Sequence, residues 1–324
     1  MEVFLMYFLF VVGLILIIKG GDLFVDAAAW IAEVSGIPHF IVGATIVGFA
    51  TSLPEILVSV FGAAQRNISG VDLAMGNAIG SVTANTGLIL GVSLLFLPMV
   101  IKLRDYLPKI LIFLASIALL WAFGATSGNF TLVAAIVMTL VFAFFVFENV
   151  RTAKQSLAAD TPASDVREGV TRAVVAKKII MFLLGCAGIV GGSELLVNYG
   201  TEIAASLGVP TRIISISAVA VGTSLPELVT TISAITKKQA SLSVGNILGS
   251  NIIDLTFILP PCFLAYGGNM PFSAETVWVD LPVLFALFLI SFVPTLFTRK
   301  FARWQGVLLL ASYVGYMVFT FVTH

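Results

Sequence analysis

The chain has 324 residues, of which 59% are hydrophobic and only 10% are charged, and its mean hydropathy is +1.08. Soluble domains carry about a quarter charged residues, so this composition excludes a soluble protein and indicates an integral membrane protein. The 17 basic and 17 acidic residues balance, and no basic patch with interleaved aromatic residues occurs, so no nucleic-acid partner is expected.

The first apolar run covers about residues 3–18. It differs from a signal peptide because it follows Glu2 instead of a basic region, and no small-residue cleavage pattern precedes Lys19. We expect a helix of the mature protein. Similar unbroken runs follow along the chain, each of roughly the 20 residues that a spanning helix needs, whereas barrel strands are shorter and alternate. The sequence predicts an all-α polytopic membrane protein.

The apolar runs predict ten transmembrane helices. They lie at about residues 3–18, 37–64, 72–100, 107–124, 130–147, 177–198, 209–236, 242–266, 276–297 and 304–322. The only extended polar segment follows the fifth helix. We therefore predict two five-helix repeats, residues 1–147 and 177–324, joined by a linker at 148–176.

The basic residues predict the orientation, because cytoplasmic loops of membrane proteins are enriched in lysine and arginine. With the N-terminus outside, every basic residue except Arg66 and Arg212 lies on the cytoplasmic side. We predict a multi-pass plasma-membrane protein with both termini outside and the 148–176 linker in the cytoplasm.

The two halves resemble each other in sequence. Residues 20–55 match residues 192–227 at an offset of 172, and residues 76–85 match residues 245–254 at an offset of 169. Because each half holds an odd number of predicted helices, the second half enters the membrane in the opposite sense. Secondary transporters are commonly built from such inverted repeats, with the substrate site between the halves near the midplane.

A polar motif is part of this repeat. Thr-Ser-Leu-Pro-Glu occurs at residues 51–55 and again at residues 223–227. A proline inside a helix cannot donate a hydrogen bond to the carbonyl four residues earlier, so each copy predicts a broken helix with a free carbonyl. An ionised carboxylate at mid-membrane costs at least about 2.5 kcal/mol, so Glu55 and Glu227 indicate a functional site.

The helix after each motif carries a polar stripe at four-residue spacing. The stripes are Asn77, Ser81 and Asn85, and Asn246, Ser250 and Asp254. Their glycines permit close approach to the broken helices, which predicts one shared cage. Carboxylates, hydroxyls and carbonyls are hard ligands that suit calcium, sodium or potassium, and not zinc or copper.

Six other polar or sulfur positions have weaker signals. We favour a structural role for Asp22 and Glu194, while the sequence leaves the roles of Asn77 and Asn246 open. Cys186 and Cys262 lie inside apolar runs, and their spacing fits neither a disulfide framework nor a metal site, so we expect them to pack in the core.

The paired motifs resemble the two alpha-repeats of the sodium/calcium exchanger family, within the cation/calcium exchanger superfamily, at residues 43–88 and 215–257. Only the linker lacks a counterpart, and it is short beside the regulatory loop of animal members, so the chain resembles a prokaryotic-type member. The resemblance implies that helices 2, 3, 7 and 8 hold four cation sites and that helices 1 and 6 slide across them to alternate access. By position, Glu55 and Glu227 would be the shared calcium ligands.

The resemblance implies further ligands. Thr51 and Thr223 would offer backbone carbonyls to calcium, and Gly48, in place of an expected alanine, and Ala220 would offer carbonyls to sodium. Ser52, Ser81, Thr223 and Ser224 would contribute to the sodium sites, and Asn85 and Asp254 would line the central position. Ser250 is the remaining member of the predicted metal-ligand set.

Asp254 is the one chemical difference between the repeats, because Asn85 occupies the equivalent position. Potassium-dependent exchangers and many prokaryotic members resemble this chain in having an acid there. Glu55, Glu227 and Asp254 together carry three negative charges when ionised, which three sodium ions would neutralise but one calcium ion would not. Our hypothesis is that Asp254 is protonated when calcium is bound, so acid pH inhibits transport by competition.

The leading function is sodium/calcium antiport by alternating access, with no covalently bound cofactor and with calcium ions, sodium ions and membrane lipid as partners of a functional monomer. Proton- or potassium-coupled calcium exchange is the alternative, although proton-coupled relatives carry Gly-Asn-x-x-Glu at the motif. A cation channel belongs to a different class and would not need a closed carboxylate cage. The chain has neither the His-Glu-x-x-His nor the Gly-x-Ser-x-Gly motif, so no enzyme is expected.

Overall fold

The computed structural model describes residues 2–159, 170–207 and 224–323, and nearly all regular structure in them is helical. The helices are α1 Glu2–Ser35, α2 His39–Thr51, α3 Leu53–Ala64, α4 Ile68–Phe96, α5 Leu103–Ser127, α6 Leu132–Ala159, α7 Arg172–Ser206, α8 Leu225–Thr236, α9 Ala240–Tyr266, α10 Thr276–Thr298 and α11 Arg303–Thr323. Each helix that contains a π-helical turn counts as one element.

Seven of the described helices are long and apolar enough to span a membrane, and the bent pair α2 and α3 raises this to eight when the pair counts as one span. The predicted all-helical membrane architecture is therefore confirmed. The predicted span 209–236 is described only over α8, because residues 208–223 lie outside the described residues.

The first helix is much longer than the predicted span at residues 3–18, since α1 continues to Ser35. The prediction ended where charged residues begin, at Lys19. The helix continues because its apolar residues Phe24 and Ala28 stay buried. The carboxylates of Asp22 and Asp26 meanwhile lie 3.8 and 2.6 Å from the Lys237 ammonium nitrogen. Asp22 thus takes part in an ion-pair contact with Lys237, and the structural role favoured for Asp22 and Glu194 stays a prediction.

Helices α1 and α7 lie side by side with their backbones in contact. A Cβ atom added to Gly20 would lie 2.8 Å from the amide nitrogen of Ile189, and one added to Gly185 would lie 2.6 Å from that of Phe24. Small residues permit this close approach in membrane helices. Residues of α1, α2 and α7 share a hydrophobic cluster that is separate from the larger core around α4 and α9.

Helices α4 and α9 form the centre of the protein. In each of them 72% of the most apolar stretch is buried, against 39% or less in the other long apolar helices. These two helices carry the predicted polar stripes, so the fold places both stripes in the interior, where protein surrounds them.

In the described part of the chain, four two-residue strands connect the halves at the ends of the helices. Strand β1, Met99–Val100, pairs antiparallel with β4, Lys300–Phe301, and β2, Asn129–Phe130, pairs antiparallel with β3, Met270–Pro271. An offset of 171 residues relates β1 to β3 and β2 to β4. The repeat therefore relates the hydrogen-bonded pair β1–β4 to the hydrogen-bonded pair β3–β2. Each pair joins a loop of the first half to a loop of the second.

Loop geometry is also repeated between the halves. Arg66 and Lys238, separated by the offset of 172, both adopt left-handed backbone conformations, with φ of 54° and 58°. Gly128 and Arg299 end α5 and α10 in the same way, with φ of 63° and 55°. The similarity of the halves thus extends from sequence to backbone conformation.

Candidate cation site

The site begins at the break between α2 and α3. The two helices meet at an angle of 44°, and Ser52 between them has φ −76° and ψ 0°. Ser224 precedes α8 with nearly the same conformation, φ −86° and ψ 4°. In both halves the proline follows within the first turn, so the repeated Ser-Leu-Pro-Glu sequence produces a repeated backbone turn.

The carbonyl that Pro54 leaves free has a partner. The thiol of Cys186, on α7, lies 3.9 Å from the carbonyl oxygen of Ala50 and donates a weak hydrogen bond to it. The helical bonds on either side continue, from the Ser52 amide to Gly48 and from the Ile56 amide to Ser52. Cys186 therefore does more than the packing that the sequence indicated, because it joins α7 to the break.

Helix α9 of the second half packs directly on α2 of the first. A Cβ atom on Gly245 would lie less than 3.0 Å from the carbonyl oxygen of Phe40, and one on Gly249 less than 3.0 Å from that of Ala44. Only glycine permits this separation. The close contact brings the polar stripe of α9 within reach of Thr51 and Gly48.

Hydrogen bonds connect the two halves across this contact. The Thr51 hydroxyl lies 3.3 Å from the Ser250 hydroxyl and 3.2 Å from Oδ1 of Asn246. The Ser250 hydroxyl in turn lies 3.3 Å from both the Gly48 carbonyl oxygen and Oε1 of Glu227. Thr51, Gly48, Ser250 and Glu227 thus form one connected group.

Three carboxylates occupy the interior of the site. Glu55, Glu227 and Asp254 are each 0% exposed, and Glu55 interacts electrostatically with the other two. The Ser52 hydroxyl lies near the Asp254 carboxylate. Both carboxyl oxygens of Glu55 and Asp254, and Oε2 of Glu227, accept no hydrogen bond from the described residues.

Other buried polar atoms in the site have no partner among the residues that the structure describes. They are the hydroxyl oxygens of Ser52 and Ser224, Oδ1 of Asn77 and both amide atoms of Asn85. Each unsatisfied buried polar group costs about 1–3 kcal/mol, and a charged group costs more. Because nearly all these atoms are oxygens, a hard cation such as calcium or sodium would satisfy them.

The described residues do not form a compact metal cluster of three His, Cys, Asp or Glu side chains. The carboxylates are instead spread among hydroxyl, amide and backbone carbonyl groups. Such a mixed set of neutral and charged oxygens suits a hard cation.

Asn85 and Asp254 have equivalent backbone settings. Each begins a π-helical turn, Asn85–Ile89 in α4 and Asp254–Ile258 in α9. Such turns are rare and occur frequently at functional sites. This exchange of an amide for an acid between the repeats therefore lies at a shared structural irregularity.

Most of the predicted ligands are buried in this region, including Ser81 on α4. Ala220 and Thr223 lie outside the described residues, so their predicted roles remain predictions. Sequence reasoning left Asn77 and Asn246 undecided and gave no signal for Thr230. In the structure both asparagines contact the motif-bearing helices, at Glu55 and Thr51 respectively.

Comparison with known proteins gives concordant matches over the whole chain. The family model described as sodium/calcium exchanger protein matches residues 5–150 and again residues 177–322. The chain is 31% identical over 349 residues to sodium/calcium exchanger MaX1 of Methanosarcina acetivorans, covering 97% of this chain and 98% of that protein. It is 32% identical over 325 residues to the putative antiporter CaxA of Alkalimonas amylolytica, covering 96% and 97%.

The fold is also similar to a solved structure. The sodium-calcium exchanger NCX_Mj, soaked with Na⁺ and Sr²⁺, superposes with a TM-score of 0.84 at 28% sequence identity, covering 98% of this chain and 99% of that one.

Proposed function

This chain belongs to the sodium/calcium exchanger family, and from that membership we propose that it exchanges sodium for calcium across the plasma membrane by alternating access. The observation that carries the proposal is the group of buried oxygen atoms without hydrogen-bond partners among the described residues, at a helix break where the two halves meet. Calcium and sodium are the transported ions in this proposal, and no covalent cofactor is needed.

The ligands that the structure describes are proposed from the geometry of the site. Ala220 and Thr223, which lie outside the described residues, are proposed from their positions in the repeat. Glu55 and Glu227 bind calcium, with carbonyl oxygens of Thr51 and Thr223. Ser52, Ser81, Thr223 and Ser224 contribute to the sodium sites, which backbone carbonyls of Gly48 and Ala220 complete. Asn85 and Asp254 line the central position, and Ser250 is the remaining member of the predicted set. The hydrogen-bonded group formed by Thr51, Gly48, Ser250 and Glu227 supports the assignment because it joins predicted ligands of both halves.

We further propose ten helices as an inverted repeat, with residues 148–176 in the cytoplasm and both termini outside. The family model supports two repeats, since it matches each half separately. The strand pairs support the proposed sidedness of the loops. Strands β1 and β4, which pair, both lie at the predicted cytoplasmic side, and strands β2 and β3, which also pair, both lie at the predicted outer side. The monomer contains both halves of the site and is the proposed functional unit.

The coupling ion is tested with purified protein in sealed vesicles. Uptake of calcium-45 is measured with an outward gradient of sodium, potassium or protons, one at a time. The proposal expects uptake with the sodium gradient only. Uptake driven by protons or potassium would identify that ion, instead of sodium, as the coupling ion. Uptake that needs no counter-ion would indicate a channel.

The Asp254→Asn variant tests the role of the extra acid. We expect it to retain calcium exchange, because Asn85 already provides an amide at the equivalent position, and to be less inhibited at acid pH than the natural protein. The measurement is initial calcium uptake from pH 5 to pH 8, where protons compete with calcium for the site.

The matched variant is Asn85→Asp, which adds an acid at the equivalent position and should strengthen inhibition at acid pH. Complete loss of exchange in Asp254→Asn, or an unchanged pH profile, would contradict the hypothesis that Asp254 carries the proton.

A further inference from the structure

Asn246, on α9, contacts helices of both halves through one amide group. Its Nδ2 donates to the Thr230 hydroxyl of α8 at 3.0 Å, and its Oδ1 accepts from the Thr51 hydroxyl of α2 at 3.2 Å. The side chain is 1% exposed. Both ends of the amide are therefore used, and they join the two glutamate-bearing motifs.

Thr230 extends this connection to a glutamate. Its hydroxyl oxygen lies 2.9 Å from the carbonyl oxygens of both Pro226 and Glu227. The hydroxyl thus holds the first turn of α8, which carries the Glu227 carboxylate. Asn246 and Thr230 together fix the backbone of Glu227 relative to Thr51 in the other half.

The first half fixes its glutamate by a shorter route. Nδ2 of Asn77, on α4, donates to the backbone carbonyl of Glu55 at 3.1 Å and to the Ser59 hydroxyl at 2.9 Å. Val58 stands where the second half has Thr230, so no hydroxyl relays the contact. Both halves therefore use an asparagine of the following helix to hold the peptide of the buried glutamate.

We propose that Asn246 is a positioning residue that couples the two halves of the cation site, with Thr230 as its relay and Asn77 as its counterpart. The proposal rests on the proposed function, because the groups that Asn246 holds in place are the proposed cation ligands. Groups that orient metal ligands without touching the metal typically change metal affinity about 10–100-fold when removed. Asn246 has no assigned contact with the ion, so its effect would act through Glu227 and Thr51.

The test compares Asn246→Ala and Thr230→Val with Ser243→Ala. Ser243 is a suitable control because it is buried on the same helix and its hydroxyl is bonded to Ser93 and Thr231. All three variants lose a buried hydrogen bond. Calcium affinity is measured by isothermal titration calorimetry in sodium-free buffer, and the thermal midpoint is measured without calcium or sodium.

We expect Asn246→Ala to raise the calcium Kd about 10–100-fold and Thr230→Val to raise it about tenfold. Ser243→Ala should change the Kd less than about threefold, although its thermal midpoint should fall about as much as those of the other two variants. In a relay, the double variant of Asn246 and Thr230 binds calcium no more weakly than Asn246→Ala alone.

A Kd of Asn246→Ala within about threefold of the natural protein, or no larger than that of Ser243→Ala, would overturn the proposal. If Asn246→Ala does not fold, Thr230→Val decides by the same criterion. Failure of the natural protein to bind calcium rejects the proposed function, whereas calcium binding that is insensitive to these variants rejects only the positioning role.

Discussion

Glutamine in place of Glu55 or Glu227 is expected to abolish calcium exchange, with a fall in uptake of at least about a hundredfold. Both carboxylates are fully buried at the meeting point of the two halves. Removing one charge from a buried ion pair costs about 3–5 kcal/mol, and here the cation is the other partner. Glutamine keeps the size of the side chain and loses the charge, so the loss would report the electrostatic contribution.

The measurement is sodium-driven calcium-45 uptake into vesicles that contain equal amounts of each variant. The control is Glu148→Gln. Glu148 is a buried glutamate outside the site, and its carboxylate lies 3.4 Å from the guanidinium group of Arg151. This control should retain exchange. Normal uptake in either Glu55→Gln or Glu227→Gln would overturn the assignment of the site.

Valine in place of Gly249 is expected to prevent folding, and alanine is expected to destabilise the protein by at least about 3 kcal/mol, the upper end of the usual cost of overpacking. A Cβ atom at this position would meet three backbone atoms of Ala44 at less than 3.0 Å. A flexible side chain could rotate away, but the backbone of α2 cannot. The two helices would have to separate, which also moves Thr51 from Ser250.

The yield of monodisperse protein and its thermal midpoint measure this effect. Gly315→Ala is the matched control, because it lies in helix α11 and an added Cβ atom there meets nothing within 4 Å among the described residues. The control should fold normally. A Gly249→Val variant with unchanged yield and thermal midpoint would show that α2 and α9 do not lie in backbone contact.

The features that were predictable from sequence arise from local chemistry. Pro54 cannot donate a backbone hydrogen bond wherever it is placed in a helix, so the break at residue 52 follows from composition and spacing alone. The buried glutamates were predictable because an ionised carboxylate inside an apolar run costs at least about 2.5 kcal/mol, which by itself indicates a functional site.

The features that were missed depend on contacts between distant parts of the chain. Helix α1 continues past Lys19 because Phe24 and Ala28 are buried, while Lys237, 215 residues away from Asp22, pairs with Asp22 and Asp26. The hydrogen bond between Thr51 and Asn246 spans 195 residues, and no local pattern indicates it. A polar stripe marks Asn246 as unusual, but only the packing of α9 against α2 identifies its partner.

The glycine contact between α2 and α9 also has a consequence for biosynthesis. Gly48 and Ser250, which face each other there, are 202 residues apart in the chain. Translation at about 5–20 residues per second takes roughly 10–40 seconds to cover that distance. During this time α2 is already made while its packing partner is not. The face of α2 that carries the Gly48 carbonyl therefore stays without this partner until α9 is synthesised.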